Sequence, residues 1–127
     1  MPERIKLSRK KGWRKPPNTT VVARPSVWGN PWRVVDETKI GNGWVVLDPD
    51  WMANPQRHFC SSRRVARRLA CWFHRRWIIT PFGPTFDIER LRGKNLACWC
   101  QLDQPCHADT LLEFANRLTS SGRGGGE

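Results

Sequence analysis

LACWCQLDQPCHAD, residues 96–109, decides how this chain is read. Its first half has the composition of a strand buried on both faces, with Leu96, Cys98 and Cys100 turned one way and Ala97 and Trp99 the other. Its second half is polar up to Pro105, and proline suits the first turn of a helix, where its missing N–H is not needed. That helix is expected to begin near Gln104 and to run to about Leu118, with Leu111, Leu112, Phe114, Ala115 and Leu118 as its inner face. A strand passing directly into a helix gathers Cys100, Cys106, His107 and Asp109 at the strand's carboxyl end. Open α/β sheets bind ligands at that edge.

Working outward, FDIERLRG (86–93) predicts a short helix closed by Gly93. Before it, Val65, Leu69, Trp72, Phe73 and Trp77 recur at helical spacing, which predicts a helix from Ser61 or Ser62 to about Ile78. Arg63, Arg64, Arg67, Arg68, His74 and Arg75 fall on its other face, and Arg76 falls inside the apolar arc. TTVVAR (19–24) reads as a strand that must stop in PSVWGNPW, where Pro25, Gly29, Asn30 and Pro31 forbid a continuing ladder. WRVV (32–35) and GWVVL (43–47) form a hairpin pair across DETKIGNG, whose Gly-Asn-Gly supplies positive backbone angles. The fold expected is α/β: a small single domain, a mixed sheet with a β-hairpin, and two main helices packed on it.

Within 127 residues one hydrophobic core closes without help from bridges or metals. Residues 1–18 read as a basic flexible arm, 19–119 as the single domain and 120–127 as a disordered glycine-rich tail. No apolar run approaches the roughly 18–20 residues of a membrane span, and the start lacks the apolar segment of a secretory signal. A cytoplasmic protein with no membrane partner is expected. The odd count of five cysteines argues against a disulfide framework and for reduced thiols. With 22 Lys and Arg against 11 Asp and Glu, the formal charge of +11 favours an anionic partner, a nucleotide or nucleic acid. The alternative is a solubilising surface with no specific target.

Three readings of the cysteine and histidine cluster stand side by side. Cys98, Cys100, Cys106 and His107 have the ligand types of a structural zinc site, although C-x-C followed by an adjacent Cys-His pair is not the usual knuckle spacing. As a catalytic site, Cys100 or Cys106 would be the nucleophile, activated at a helix N-terminus, with His107 as acid–base partner and Asp109 or Asp103 orienting the imidazole. The third reading makes the cysteines small buried hydrophobes, His107 a surface residue near the helix end, and Asp109 a complement to the helix dipole. Whether a reaction is catalysed is left open.

Substrate-binding candidates lie in the loop after the first strand: Arg24 and Asn30 as clamps, Gly29 beside them, and Trp28 or Trp32 as a surface for a base. Arg63, Arg64, Arg67, Arg68 and Arg75 form the candidate nucleic-acid-binding face, and a solvated helix face is the plain alternative.

VVARPSVWGNPW, LRGKNLACWCQLDQPCHADTLLEFANRL and the opening PERIKLSRKKGW together resemble domain of unknown function 4326, small bacterial and phage proteins. The resemblance covers nearly the whole chain apart from the glycine-rich tail. It implies no particular reaction. It does imply two motifs acting as a pair: Arg24, Trp28, Gly29, Asn30 and Pro31 in one, and Cys98, Cys100, Cys106, His107 and Asp109 in the other. The bulk charge and these motifs together predict a site between Arg24 and Asn30 on one side and Cys100, Cys106 and His107 on the other. The rival is a non-catalytic nucleic-acid-binding module stapled by zinc.

Overall fold

The computed structural model describes residues 2–24, 26–80 and 84–124, with side chains described outside 84–87 and 117–124. Among these residues, six strands and two long helices follow in the order β1 Arg4–Lys6, β2 Thr19–Val21, β3 Arg33–Glu37, β4 Gly43–Leu47, β5 Arg57–Cys60, α1 Arg63–Ile78, β6 Asn95–Cys98 and α2 His107–Gly124. The domain is α/β as expected. Its strands divide into two three-stranded sheets, one parallel in the order β1-β6-β2 and one antiparallel in the order β3-β4-β5.

β6 occupies the middle of the parallel sheet, which is why Leu96, Ala97 and Cys98 are all buried. The strand ends at Cys98, so the predicted alternation does not extend to Trp99 and Cys100, which lie in a bend. β1 falls in the segment expected to be a flexible arm. Arg4 pairs with Leu96, Ile5 with Ala97 and Lys6 with Cys98, and the Leu7 N–H continues the ladder to the Cys98 carbonyl at 2.8 Å. The lone apolar pair Ile5 and Leu7 in a basic stretch is enough, because the edge of β6 offers unpaired backbone groups that a neighbouring strand satisfies.

The hairpin forms where expected, with Val35 opposite Val45 and Val34 opposite Val46. Its connection is a 3₁₀ turn over Thr38–Ile40 closed by Gly41 at φ 86° and Gly43 at φ 72°, backbone angles that favour glycine. Asp36 fixes the turn by accepting the Thr38 N–H at 2.9 Å.

α1 starts at the predicted cap, with Ser62 Oγ accepting the Val65 N–H at 3.1 Å. Its buried stripe is rotated from the predicted one. Ala66, Ala70, His74 and Ile78 face inward at four-residue spacing, while Val65 and Trp72 are 44% and 49% exposed. Small alanines let the helix lie close to the antiparallel sheet, and the larger Leu69, Phe73 and Trp77 then pack at its flank beside Trp32. Arg76, placed by the sequence in the apolar arc, stacks its guanidinium 4.8 Å over the Trp72 ring instead.

The segment Pro84–Leu91 is a 3₁₀ helix followed by Gly93 at φ 74°, close to the short helix expected there. α2 begins at His107 rather than near Gln104, because Pro105 and Cys106 stand before the helix and not within it. It runs past Leu118 to Gly124, into the predicted tail, since no proline interrupts the backbone ladder there. Pro25, the side chain of Leu118, and residues 125–127 of the tail lie outside the described residues. Two core clusters result: one joins the parallel sheet to α2 through Val22, Leu96 and Leu111, and the other joins the antiparallel sheet to α1 through Trp32, Val46 and Ala70. Arg75 of α1 and Glu113 of α2 tie the helices with paired hydrogen bonds of 2.6 and 3.2 Å. Among the described residues no helix is long and apolar enough to cross a membrane.

Candidate functional site

The chain reverses between β6 and α2, and a buried arginine holds the reversal in place. Arg4, whose side chain is only 8% exposed, donates to the Gln101 carbonyl at 3.1 Å, to the Leu102 carbonyl, and to Asp109 Oδ2 at 3.2 Å. One guanidinium thus clamps the loop to the first turn of α2, using the fixed fork of donors that only arginine has. Cys106 sits immediately before the helix. Its carbonyl accepts the Asp109 N–H at 3.1 Å, and its sulfur receives the Ala108 N–H at 3.5 Å, so the thiol meets an otherwise unpaired helix-terminal amide.

Cys98, Cys100 and Cys106 converge: their sulfur atoms all lie within 4.8 Å of one another, and the Cys98 and Cys100 sulfurs are 3.9 Å apart. All five cysteines are free thiols. Hydrogen bonds from the Cys106 and Cys98 thiols favour the thiolate of Cys100 and hold its pKa well below the usual thiol range, aided by the charge of Arg67. The hydrogen bond to Cys100, then that to Cys98, and then burial push Cys106 strongly up. The trio therefore ionises as a unit, giving up its first proton easily and its last with difficulty.

His107 is buried, and its Nε2 lies 2.7 Å from the Val22 carbonyl. A carbonyl only accepts, so Nε2 carries the proton. Burial holds the ring neutral by lowering its pKa, so Nδ1 keeps a lone pair, 3.8 Å from the Cys106 sulfur. The predicted orienter is corrected. Asp109 is ion-paired with Arg4, and the imidazole is instead positioned by the backbone of Val22. His107 also does not join the three sulfurs as a fourth convergent ligand.

The opposite wall comes from the loop after β2 and the face of α1. A cleft of about 320 Å³ opens between the two sheets and is lined by Arg24, Asn30 and Arg67 on one side and by Cys98, Cys100, Cys106 and His107 on the other. That volume is at the lower end of the range of small-ligand sites. The two predicted halves thus meet in one place. Asn30 reaches the cleft wall, yet both ends of its amide are engaged: Nδ2 donates to the Ala70 carbonyl at 3.1 Å and Oδ1 accepts the Trp32 N–H at 2.9 Å. It pins the loop to α1. Gly29 is needed for close approach, because a Cβ there would stand 2.7 Å from Arg24 Cγ. Trp28 is buried in the parallel-sheet core and does not line the cleft, since its apolar surface packs against that core.

Of the predicted arginine face, Arg63 and Arg67 line the cleft, and Arg63 lies 5.6 Å over the Trp44 ring. Arg64 and Arg68 are exposed outside the cleft, and Arg75 is committed to Glu113. Four features escape the sequence reading: Arg4 as the loop clamp, Trp44 and Cys71 in the lining, and His74. Burial pushes the Cys71 thiol up to about 12. His74 is fully buried, 5.3 Å from the His107 ring, with neither ring nitrogen meeting a hydrogen-bond partner among the described residues. Its spacing of four from Ala70 and eight from Ala66 is the available signal.

Comparison with curated proteins gives no significant match, and neither does comparison with solved structures. One family model matches residues 5–117, nearly the whole of the described fold, and the chain belongs to that family, Domain of unknown function (DUF4326).

Proposed function

We propose that the cleft binds a nucleotide, free or at the end of a nucleic-acid strand, in a reducing cytoplasmic setting where the thiols stay reduced. The observation that carries this reading is the convergence of Arg24, Arg63 and Arg67 with Cys100, Cys106 and His107 on one cleft at the carboxyl edge of a parallel sheet. Arginines grip phosphate oxygens through paired N–H donors, and Trp44, half-buried in the lining, gives the cleft aromatic surface suited to a base. Asn30, with Gly29, holds the phosphate-binding wall in register rather than touching the ligand. If the bound ligand is transformed, Cys100 or Cys106 is the nucleophile and His107 Nδ1 takes the thiol proton. Val22 takes the orienting role, and Asp109 acts through its clamp with Arg4.

A second reading is favoured by the sulfur trio: a non-catalytic nucleic-acid-binding module with a structural zinc on Cys98, Cys100 and Cys106, helped by His107. In it, Arg63, Arg64, Arg67 and Arg68 contact phosphates. None of the four has an acidic partner within ion-pair distance among the described residues.

Thiol footprinting of metal-free protein at pH 7 separates the two readings. Alkylation of Cys100, located by mass spectrometry, should be fast and should slow at least about tenfold when one of the four nucleoside triphosphates is added at millimolar concentration. No protection by any of them, with tight and salt-sensitive binding of an oligonucleotide, would replace the first reading with the second.

A further inference from the structure

The sulfur trio has the geometry of a metal site with one corner missing. Two thiolates on a tetrahedral ion with metal–sulfur bonds of about 2.3 Å sit roughly 3.8 Å apart. The Cys98 and Cys100 sulfurs are at 3.9 Å, and Cys106 lies within 4.8 Å of both. Cys98 ends β6, Cys100 follows in the bend and Cys106 immediately precedes α2, so the chain reversal between the two elements sets the spacing. The Ala108 N–H on the Cys106 sulfur is the kind of outer hydrogen bond that supports a ligating thiolate.

Among the described residues no fourth protein ligand completes the set: the convergent group is these three cysteines, without His107, Asp109 or any other histidine or carboxylate. His107 donates its Nε2–H to the Val22 carbonyl, and its Nδ1, 3.8 Å from the Cys106 sulfur, does not converge on all three sulfurs. Cys100 is only half-buried and lines the cleft together with Arg24 and Arg67. Three thiolates around a divalent ion carry a net charge of −1, which those two guanidinium groups offset while still attracting an anion.

We propose that Cys98, Cys100 and Cys106 bind one zinc ion whose fourth position opens into the cleft and takes an oxygen of the phosphate-bearing ligand. Soft thiolates and a tetrahedral set select zinc among the common divalent ions. Binding is a proton exchange: three Zn–S bonds form in place of Zn–water bonds, and each proton still held by the three sulfurs leaves to solvent. The zinc then replaces the nucleophilic role of Cys100 with ligation, and a metal with three protein ligands and one open position can polarise a phosphoryl oxygen or a water. The ligand part of this inference rests on the nucleotide reading of the cleft; the metal part does not.

The test uses the full chain, reduced and freed of metal, titrated first with Zn²⁺ and then with Co²⁺ as a spectroscopic stand-in. One equivalent should bind, three thiols per chain should become unreactive, and Co²⁺ should give sulfur-to-metal charge-transfer bands. Cys100→Ser should weaken binding by more than the roughly 10–100-fold that outer-sphere changes cost. Cys60→Ser and His107→Gln should leave the stoichiometry and the bands in place. Adding inorganic phosphate, and separately AMP, should shift the visible cobalt bands, which a closed four-ligand site would not allow. Less than about one-fifth of an equivalent bound, or equal loss in Cys60→Ser, overturns the metal. A full equivalent whose bands ignore both anions overturns the open position, and loss of those bands in His107→Gln would identify the imidazole as the closing ligand. Zinc binding without any nucleotide protection of the cleft would sink the nucleotide reading alone and leave the metal standing.

Discussion

His107 donates its Nε2–H to the Val22 carbonyl across 2.7 Å, joining the first residue of α2 to the residue that follows β2. The bond is buried, so water cannot replace it. His107→Ala leaves the carbonyl without that donor and opens a cavity beside Cys106, and should cost about 2–4 kcal/mol. A lowered urea midpoint at unchanged slope checks the size of the effect. His107→Gln, whose amide can still donate, should recover part of it.

His74 gives the protein a pH dependence with a defined sign. Burial, and then the neighbouring His107, lower its pKa from 6.5 to about 3. Well above pH 6.5 the ring is neutral in both states and contributes no slope. Below it the unfolded chain takes up a proton that the folded ring refuses, so stability falls as pH drops, by at most about 1.4 kcal/mol per unit, down towards about pH 3. His74→Phe keeps the shape and removes two nitrogens that meet no hydrogen-bond partner among the described residues. It should match or exceed the parent at about pH 7.5 and lose less stability between about pH 7 and 5, as read by paired urea titrations.

Arg4 serves three acceptors at once, so lysine cannot stand in for it. Arg4→Lys should cost about 1–3 kcal/mol and loosen the loop from Gln101 to Cys106. Hydrogen exchange at the amides of Ala108 and Asp109 should rise more than exchange in the β3–β4 hairpin. Uniform exchange in both regions would show that the clamp is not local.

Gly29→Ala places a Cβ 2.7 Å from Arg24 Cγ and 3.0 Å from the Arg24 backbone. Part of the clash is with main chain, so the loop must move, at about 1–3 kcal/mol. Arg24 moves with it, and nucleotide affinity should fall at least about tenfold even at temperatures where the variant is fully folded. Isothermal titration beside a melting curve separates the two effects.

Much of the layout is legible where local chemistry decides it. Ser62 caps α1, Gly41 and Gly43 close the hairpin, and the apolar run around Ala97 marks a strand buried on both faces. Pairing across long sequence distances is not legible. Arg4 of β1 lies 92 residues (96 − 4) from its partner Leu96, in a segment whose charge masks a two-residue apolar signal. The inward stripe of α1 is missed because large residues weigh most in a periodicity argument, whereas Ala66 and Ala70 are inside for being small. At the site, residue types announce the cysteine cluster and the arginines. Which carbonyl takes the His107 proton, and which cation takes Asp109, depends on tertiary neighbours that no spacing rule contains.

The middle strand of the parallel sheet is also the last of the six strands in chain order. During synthesis β1 and β2 leave the ribosome with nothing between them, while the β3–β4–β5 meander and α1 already have all their local partners. The antiparallel half can therefore assemble cotranslationally, and the half that carries Cys98, Cys100 and Cys106 must wait until residue 98 has emerged. A stalled or truncated product would keep its tryptophan-rich half and lack the cleft entirely.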